Sequence, residues 1–308
     1  MKNVMISGIA GFIGQNLSRE LMSQGWKVYG VDDFSVGRED WLPDGVICFD
    51  QNICDPITDT TEYDLIIHLA SRKIPREGDS QIVLTENTKG LKNILKYAMC
   101  IDSKFLYLST SDIYGKNTSF SETSDSVIGQ PNIQRWSYAI SKMWGEQLLY
   151  STPERFDFNI VRLFGTYGPY QALSWTAGPQ SVFISQALKQ EPITIHGHGN
   201  QMRAFQFIDD AIDGIMRVVN SDCRREIFNI GNPNEPIEIN SLAKMVWGIV
   251  NNGDEIKTKY IPHSVFKYEE VPFRTPDIAK ARELLGFEPK ITLLEGLEET
   301  IRWQRGVV

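Results

Sequence analysis

At 308 residues the chain is long enough to bury a full core, and its length suggests two unequal lobes. Its 39 acidic residues outweigh 31 basic ones, for a net charge of −8, and no basic run is present, so neither a nucleic acid nor an anionic membrane is an expected partner. No apolar run approaches the ~20 residues of a membrane span, and Cys48, Cys54, Cys100 and Cys223 form no C-x-x-C pair and read as reduced thiols of a cytoplasmic protein.

Val4-Met5-Ile6-Ser7 is an apolar strand that breaks into Gly8, Gly11 and Gly14 and then a helix. A strand turning sharply into a helix needs glycine for the turn and again where a pyrophosphate approaches the backbone. Free N–H groups and the helix dipole then hold the anion. Lys2 gives this run a faint likeness to a signal peptide, but the three glycines interrupt it and the strand reading accounts for it. A second strand, Lys27-Val28-Tyr29-Gly30-Val31-Asp32, closes on an acid roughly 20 residues further on, as a dinucleotide-binding unit requires. A carboxylate there accepts from a ribose 2′-OH and repels a 2′-phosphate, so the expected cofactor is NAD rather than NADP. Asp33 reinforces this, and Arg38 is the opposing charge.

A polar loop to Pro43 leads to a third strand over 46–50, followed by Asn52-Ile53. Residues 64–70 are a short continuous apolar run, the mark of a parallel strand buried on both faces. A helix over 80–100 carries Asn87, and a fifth strand over 104–109 ends in the hydroxyl cluster Ser109-Thr110-Ser111. A helix over 137–150 and a sixth strand over 158–163 complete the alternation. Such spacing predicts an α/β protein with a doubly wound parallel sheet and a ligand crevice at the strand C-termini. Beyond Gly168-Pro169 the pieces are short and punctuated by proline, with returns to the first lobe at Ile208-Asp209-Asp210 and Phe228-Asn229-Ile230-Gly231. The expected division is 1–168 plus about 207–231 as a Rossmann domain, with 169–206 and 232–308 as a smaller α/β C-terminal lobe.

Tyr138-Ala139-Ile140-Ser141-Lys142 sets a phenol and an ammonium one helical turn apart, and Tyr138 alone of eleven tyrosines has a lysine four positions on. A free phenol, with a pKa of about 10, is a poor base, but a nearby ammonium and an oxidised nicotinamide both favour phenolate. A strand-end hydroxyl should complete such a site, with Ser109, Thr110 and Ser111 all in position.

The G-x-x-G-x-x-G spacing of Gly8, Gly11 and Gly14, with Tyr138 and Lys142, resembles the extended branch of the short-chain dehydrogenase/reductase family. The second half is similar to its NAD-dependent nucleotide-sugar epimerases and dehydratases, UDP-galactose 4-epimerases among them. Arg162-Leu163-Phe164-Gly165-Thr166-Tyr167-Gly168-Pro169 resembles R-x-F-N-x-Y-G-P, with Gly165 in place of an asparagine that contacts the sugar nucleotide. The segment from Ile195 to Arg203 resembles G-D-G-x-Q-x-R, with His198 for aspartate; its His196-Gly197-His198 reads as a turn, and no metal is expected. Residues 277–289 and 295–303 are similar to D-x-x-K-A-x-x-L-G-x-x-P and G-L-x-x-T-x-x-W.

The resemblance implies that NAD is held by Gly8, Gly11, Phe12, Ile13, Gly14, Asp32, Asp33, Asn52, Ile53, Leu69, Ala70, Lys73, Asn87, Tyr138 and Lys142. It implies that the C-terminal lobe binds the substrate, with Thr110 as the substrate-binding catalytic hydroxyl, Tyr138 as proton acceptor, Lys142 as its electrostatic tuner and a ligand of the nicotinamide ribose, and Arg203 and Arg274 as clamps on the diphosphate of a nucleotide-diphosphate sugar. A homodimer built on the helices near 80–100 and 137–150 is the corresponding assembly. His68, in a sequence similar to H-x-A-A, reads as a structural strand-end residue.

Two positions divide the reaction. Lys73 falls where UDP-galactose 4-epimerases carry a lysine beside the cofactor. Residues 110–115 resemble the T-S-E-x-Y-G or T-D-E-x-Y-G of dehydratases and decarboxylases, with Asp112 as a candidate catalytic acid in place of glutamate. Aspartate is one methylene shorter, which takes it out of proton-transfer reach. The sequence therefore favours 4-epimerisation through a 4-keto intermediate over dehydration or 4-keto reduction. A catalytically silent NAD-dependent sensor is the alternative of a different class, and the complete set of Thr110, Tyr138 and Lys142 argues against it.

Overall fold

The computed structural model describes residues 2–73, 79–262 and 269–308. Its centre is a seven-stranded parallel sheet. In chain order β1 (Asn3–Ser7), α1 (Phe12–Ser23), β2 (Lys27–Asp32), β3 (Ile47–Asp50), β4 (Leu65–His68), α2 (Ser80–Cys100), β5 (Lys104–Thr110), α3 (Trp136–Tyr150) and β6 (Phe158–Leu163) build it, and a late strand, Glu226–Ile230, adds to the edge beside β6. The strands lie in the order β3, β2, β1, β4, β5, β6, Glu226–Ile230. The order reverses between β1 and β4, which opens a crevice at their C-terminal ends, where a doubly wound sheet takes its ligand.

The period-two alternation of the strands divides the core. Val4 and Ile6 of β1, Leu65 and Ile67 of β4 and Leu106 of β5 enter one buried cluster; Met5, Ile66, Phe105 and Tyr107 enter the other. α2 and α3 pack together on the second face, while α1 packs with α5 (Ile208–Asn220) on the first. Fully burying an aliphatic or aromatic side chain of this size contributes about 1.5–3 kcal/mol, so the sheet is a firm platform for the loops above it.

Beyond β6 the remaining elements are short. Thr166–Tyr167 pairs with Gln206–Phe207, Ile193–His196 pairs with Thr258–Ile261, and Met202–Arg203 lies between Ile237–Glu238 and Phe273–Arg274. Helices α4 (Pro179–Leu188), α6 (Ile239–Val250) and, after the short α7 (Ala279–Leu285), α8 (Leu293–Gln304) pack on one another beside these strands. Thr292 and Glu295 start α8 with a reciprocal capping box. Among the described residues no helix is long and apolar enough to cross a membrane.

Several boundaries differ from the sequence reading, most by a single residue. The third strand starts at Ile47, and α3 starts one residue early, at Trp136. The fourth strand stops at His68 instead of continuing to Ala70, because the N–H groups of both Leu69 and Ala70 turn back to the Ser7 carbonyl, at 3.0 and 2.9 Å. That turn brings Ala70 onto Gly8.

Candidate active site

One cleft of about 880 Å³ runs along the C-terminal edge of the sheet, near the upper end of the volumes that ligand sites occupy. At its first end lie Gly8, Gly11, Phe12, Ile13 and Gly14, the turn between β1 and α1. Each glycine has its own reason. Gly8 holds φ at +75°, and a Cβ there would stand 2.7 Å from the Ala70 nitrogen; a Cβ on Gly14 would stand 2.5 Å from the Ile9 carbonyl oxygen. Gly11 caps α1 with no side-chain partner, and a Cβ on it would meet only the Gly8 carbonyl, at 3.3 Å. The first turn of α1 has no acidic residue, so its N–H groups face the cleft without a competing charge.

Asp32 ends β2 with one carboxylate oxygen accepting from the Ala10 N–H and the other from the Phe34 N–H, both at 2.9 Å. Each oxygen keeps a lone pair for a ribose diol. Burial raises its pKa above the ordinary carboxylate value, against the lowering by these two N–H groups. Asp33 accepts from Ser35 and, at 2.8 Å, from the Asn52 amide, whose own oxygen accepts from the Cys54 N–H. Ile53, Leu69, Ala70 and Lys73 line the same end. A glycine turn open at Gly11, a bare helix N-terminus and an oriented acid at the second strand fit a dinucleotide of the NAD type. Arg38, the opposing charge, is engaged with Asp40.

Two residues expected at the cofactor stand differently. Asn87 lines the cleft, but its amide is spent holding the loop after β4: it accepts from the Arg72 N–H at 2.7 Å and donates to the Arg72 carbonyl at 3.0 Å and to Ser141 Oγ at 2.9 Å. Lys142 is buried and is not among the cleft-lining residues; its ammonium donates to the Leu108 carbonyl at 2.7 Å. Burial presses its pKa down to about 7, with Glu146 opposing. His68 is buried, bonded to Ser7 at 2.6 Å and stacked on Tyr107, with its pKa well lowered by burial and by Lys142.

In the middle of the cleft the Tyr138 hydroxyl lies beside the hydroxyls of Ser71 and Thr110. Burial, and then the Asp112 carboxylate, push this phenol above its ordinary range. Thr110 Oγ1 also accepts from the Asp112 N–H at 3.2 Å. Ser109, one of the alternative hydroxyls, donates to Glu146 instead. The Lys73 ammonium stands 5.9 Å from the Tyr138 ring centre and the Lys142 ammonium 6.0 Å.

Asp112 stands among cations. Arg274 Nη1 donates to its carboxylate at 2.6 Å, and Arg135 approaches to 3.7 Å. Burial by itself would raise the Asp112 pKa, but Arg274, Lys73 and Arg135 together hold it well below the usual range. Arg274 Nε and Nη2 are buried with no hydrogen-bond partner among the described residues. Arg203 faces Arg274 in register across two paired strands, and its Nη2 donates to Glu270 at 2.8 Å. The two arginines singled out in the sequence thus sit side by side in the wall of the cleft.

At the far end Trp175 and His196 pack with ring centres 4.3 Å apart and planes tilted by 55°, near Phe205 and Gln201. A Cβ on Gly165 would stand 3.0 Å from the Phe205 ring, so that aromatic fills the space beside the glycine. His198 is exposed, and no group of three His, Cys, Asp or Glu among the described residues is placed to hold a metal ion. Arg135 and Glu146 escaped the sequence reading, although each stands at helical spacing from the motif, three residues before Tyr138 and four after Lys142.

The profile of the NAD dependent epimerase/dehydratase family matches residues 4–231. The chain is 32% identical to the UDP-N-acetyl-alpha-D-glucosaminuronate decarboxylase of Bacillus cytotoxicus, over 99% of this chain and 98% of that protein. It is 33% identical to UDP-glucuronic acid decarboxylase 1 of Xenopus tropicalis, over 99% of this chain and 72% of the relative. Among solved structures, UDP-glucose 4-epimerase of Thermotoga maritima with UDP-glucose superposes with a TM-score of 0.87 at 26% identity, covering 99% of both chains. The UDP-glucuronic acid 4-epimerase of Bacillus cereus, in complex with UDP-glucuronic acid and NAD, superposes with a TM-score of 0.84 at 26% identity, covering 99% of this chain and 100% of that one.

Proposed function

The chain belongs to the NAD-dependent epimerase/dehydratase family and is an NAD-dependent enzyme, and from that premise we propose that it acts on a nucleotide-diphosphate uronic acid, oxidising the sugar at C4 and releasing C6 as carbon dioxide. One observation carries this reading. Arg274, with two buried nitrogens that have no hydrogen-bond partner among the described residues, joins Lys73 and Arg135 around the carboxylate of Asp112, beside Tyr138. Such an excess of positive charge next to a sugar-oxidising centre suits an anionic substituent on the ring, and a guanidinium fork matches a carboxylate. The two relatives with decarboxylase activity in their names support it.

NAD, when bound by the Gly8 to Gly14 turn and Asp32, supplies the hydride acceptor and later the hydride donor at C4. Tyr138 takes the proton of the C4 hydroxyl, and Thr110 and Ser71 hold that oxygen through their hydroxyls. The C6 carboxylate, β to the new ketone, loses carbon dioxide with its bonding electrons passing onto O4. The Tyr138 and Thr110 hydroxyls stabilise that charge, C5 takes up a proton from solvent, and Tyr138 returns its proton to O4 as C4 is reduced again. Asp112 serves to orient Arg274, since a carboxylate held so firmly ionised is a poor proton donor.

The second reading is the 4-epimerase that the sequence favours. Lys73 close to the Tyr138 ring supports it, as does the likeness to solved epimerases. Incubation with NAD and a panel of UDP-, dTDP-, GDP- and CDP-linked uronic acids and neutral hexoses, with products identified by mass and NMR, separates the two. Uronic acids should lose carbon dioxide. Recovery of a 4-epimer of unchanged mass would replace decarboxylation with epimerisation, and NAD retention without any turnover would return the silent sensor.

A further inference from the structure

A chain of buried polar groups runs beneath the cleft. Ser109 Oγ donates to the Glu146 carboxylate, and Arg162 closes on the same carboxylate through Nε at 3.1 Å and Nη2 at 2.6 Å. Arg162 Nη1 donates to the Tyr114 hydroxyl at 3.0 Å, which donates to Asn229 Oδ1 at 2.7 Å; Asn229 Nδ2 reaches the Asp277 carbonyl at 2.9 Å. Ser109, Glu146, Arg162 and Asn229 are all less than a tenth exposed.

Glu146 differs from an ordinary buried ion-pair partner in what lies around it. It stands one turn beyond Lys142 on α3. Lys142 donates to Leu108 and Glu146 accepts from Ser109, so α3 is stitched twice to consecutive residues of β5, directly before Thr110. The buried Lys142 ammonium otherwise faces the Tyr107 ring at 4.8 Å, the Tyr138 ring and the neutral His68. Glu146 is the carboxylate that favours its charged form.

We propose that Glu146 is a positioning residue of the reaction, which keeps Lys142 an ammonium and, through Ser109, sets the end of β5 against Tyr138. Arg162 neutralises Glu146 in turn, so the carboxylate is held in one place. The proposal rests on the proton-acceptor role of Tyr138 but not on the identity of the sugar.

The test uses the NAD-loaded protein and needs no substrate. Glu146→Leu combined with Arg162→Met removes a neutral pair and replaces it with apolar groups, an exchange that buried ion pairs commonly tolerate. The readout is the ionisation of the Lys142 amine, followed by NMR of carbon-13-labelled lysine and assigned with Lys142→Met. A purely structural ion pair leaves that ionisation where it was, since the pair removed has no net charge. If Glu146 maintains the ammonium, deprotonation of Lys142 moves to lower pH by about one unit. An unmoved ionisation overturns the proposal. Should the double variant not fold, Ser109→Ala decides: it frees the carboxylate alone, and a shift in the same direction of about threefold in the fraction ionised is expected, whereas no shift overturns the proposal. Turnover of any nucleotide sugar by Tyr138→Phe at the rate of the parent would instead remove the acceptor role itself, and the Glu146 proposal with it.

Discussion

Arg274 donates to the Asp112 carboxylate at 2.6 Å across a separation of 162 residues, which ties the C-terminal part of the chain to the end of β5. The pair leaves two guanidinium nitrogens pointing into buried space. Arg274→Ala is expected to weaken binding of a uronic acid nucleotide by roughly 2 kcal/mol or more, and that of its neutral hexose counterpart by less. Asp112→Asn should act in the opposite direction, tightening the uronic acid severalfold by removing a competing anion while lowering turnover. Calorimetric titration with UDP-glucuronic acid and UDP-glucose checks both; equal losses for the two ligands would place Arg274 on the diphosphate instead.

The Tyr138 hydroxyl lies beside those of Ser71 and Thr110. Tyr138→Phe keeps the ring and removes only the proton acceptor, so turnover is expected to fall by about 10²–10⁴-fold with the affinity for nucleotide sugar nearly unchanged. Steady-state rates together with a dissociation constant settle it, and a rate near that of the parent would exclude Tyr138 from the chemistry.

Much of this architecture is legible in the chain because it is local. Helix α2 over 80–100 and strand β6 over 158–163 follow from uninterrupted patterning, and the glycine turn, Asp32 and the Tyr138-Lys142 pair declare themselves by spacing. What is hidden depends on distant partners. No local pattern announces that Arg274 reaches Asp112, that Arg203 lies in register with it, or that Asn87 braces Arg72 and Ser141. The end of β4 is hidden for a similar reason: Leu69 and Ala70 continue the apolar character of the strand, and only the return of their N–H groups to Ser7 stops it. The two-residue strands that carry Arg203 and Arg274 are too short to show an alternation.

The buried Lys142 has a measurable consequence for stability. Burial takes its pKa from 10.5 down to about 7. Between those values the unfolded chain binds more protons than the folded one, so the stability present at high pH is lost as pH falls through the window and is gone below about 7. Lys142→Met abolishes this titration. After discounting the lost hydrogen bond to Leu108, the variant should be more stable than the parent by roughly 2 kcal/mol near pH 6.5, with the advantage vanishing towards pH 10. Thermal unfolding of both proteins across this range is the check; a difference that does not change with pH would contradict a depressed Lys142.

Cofactor choice turns on Asp32. Its carboxylate is aimed by the Ala10 and Phe34 N–H groups, with Asp33 close behind it and Arg38 held by Asp40. A 2′-phosphate would meet two carboxylates, so NAD should bind at least tenfold more tightly than NADP, a difference of about 1.4 kcal/mol. Asp32→Asn removes the repulsion and one acceptor together, which should weaken NAD and bring the two affinities close. A pH effect follows from burial, which raises the Asp32 pKa above that of an exposed carboxylate. As pH falls, Asp32 takes up its proton earlier than an exposed acid, an oxygen becomes a donor, and acceptance from the ribose hydroxyls is impaired. NAD affinity of the parent should therefore decline on the acid side while that of Asp32→Asn stays level over the same interval. Fluorescence titration with both dinucleotides at several pH values measures all of these quantities, and NADP bound as tightly as NAD by the parent would overturn the role of Asp32.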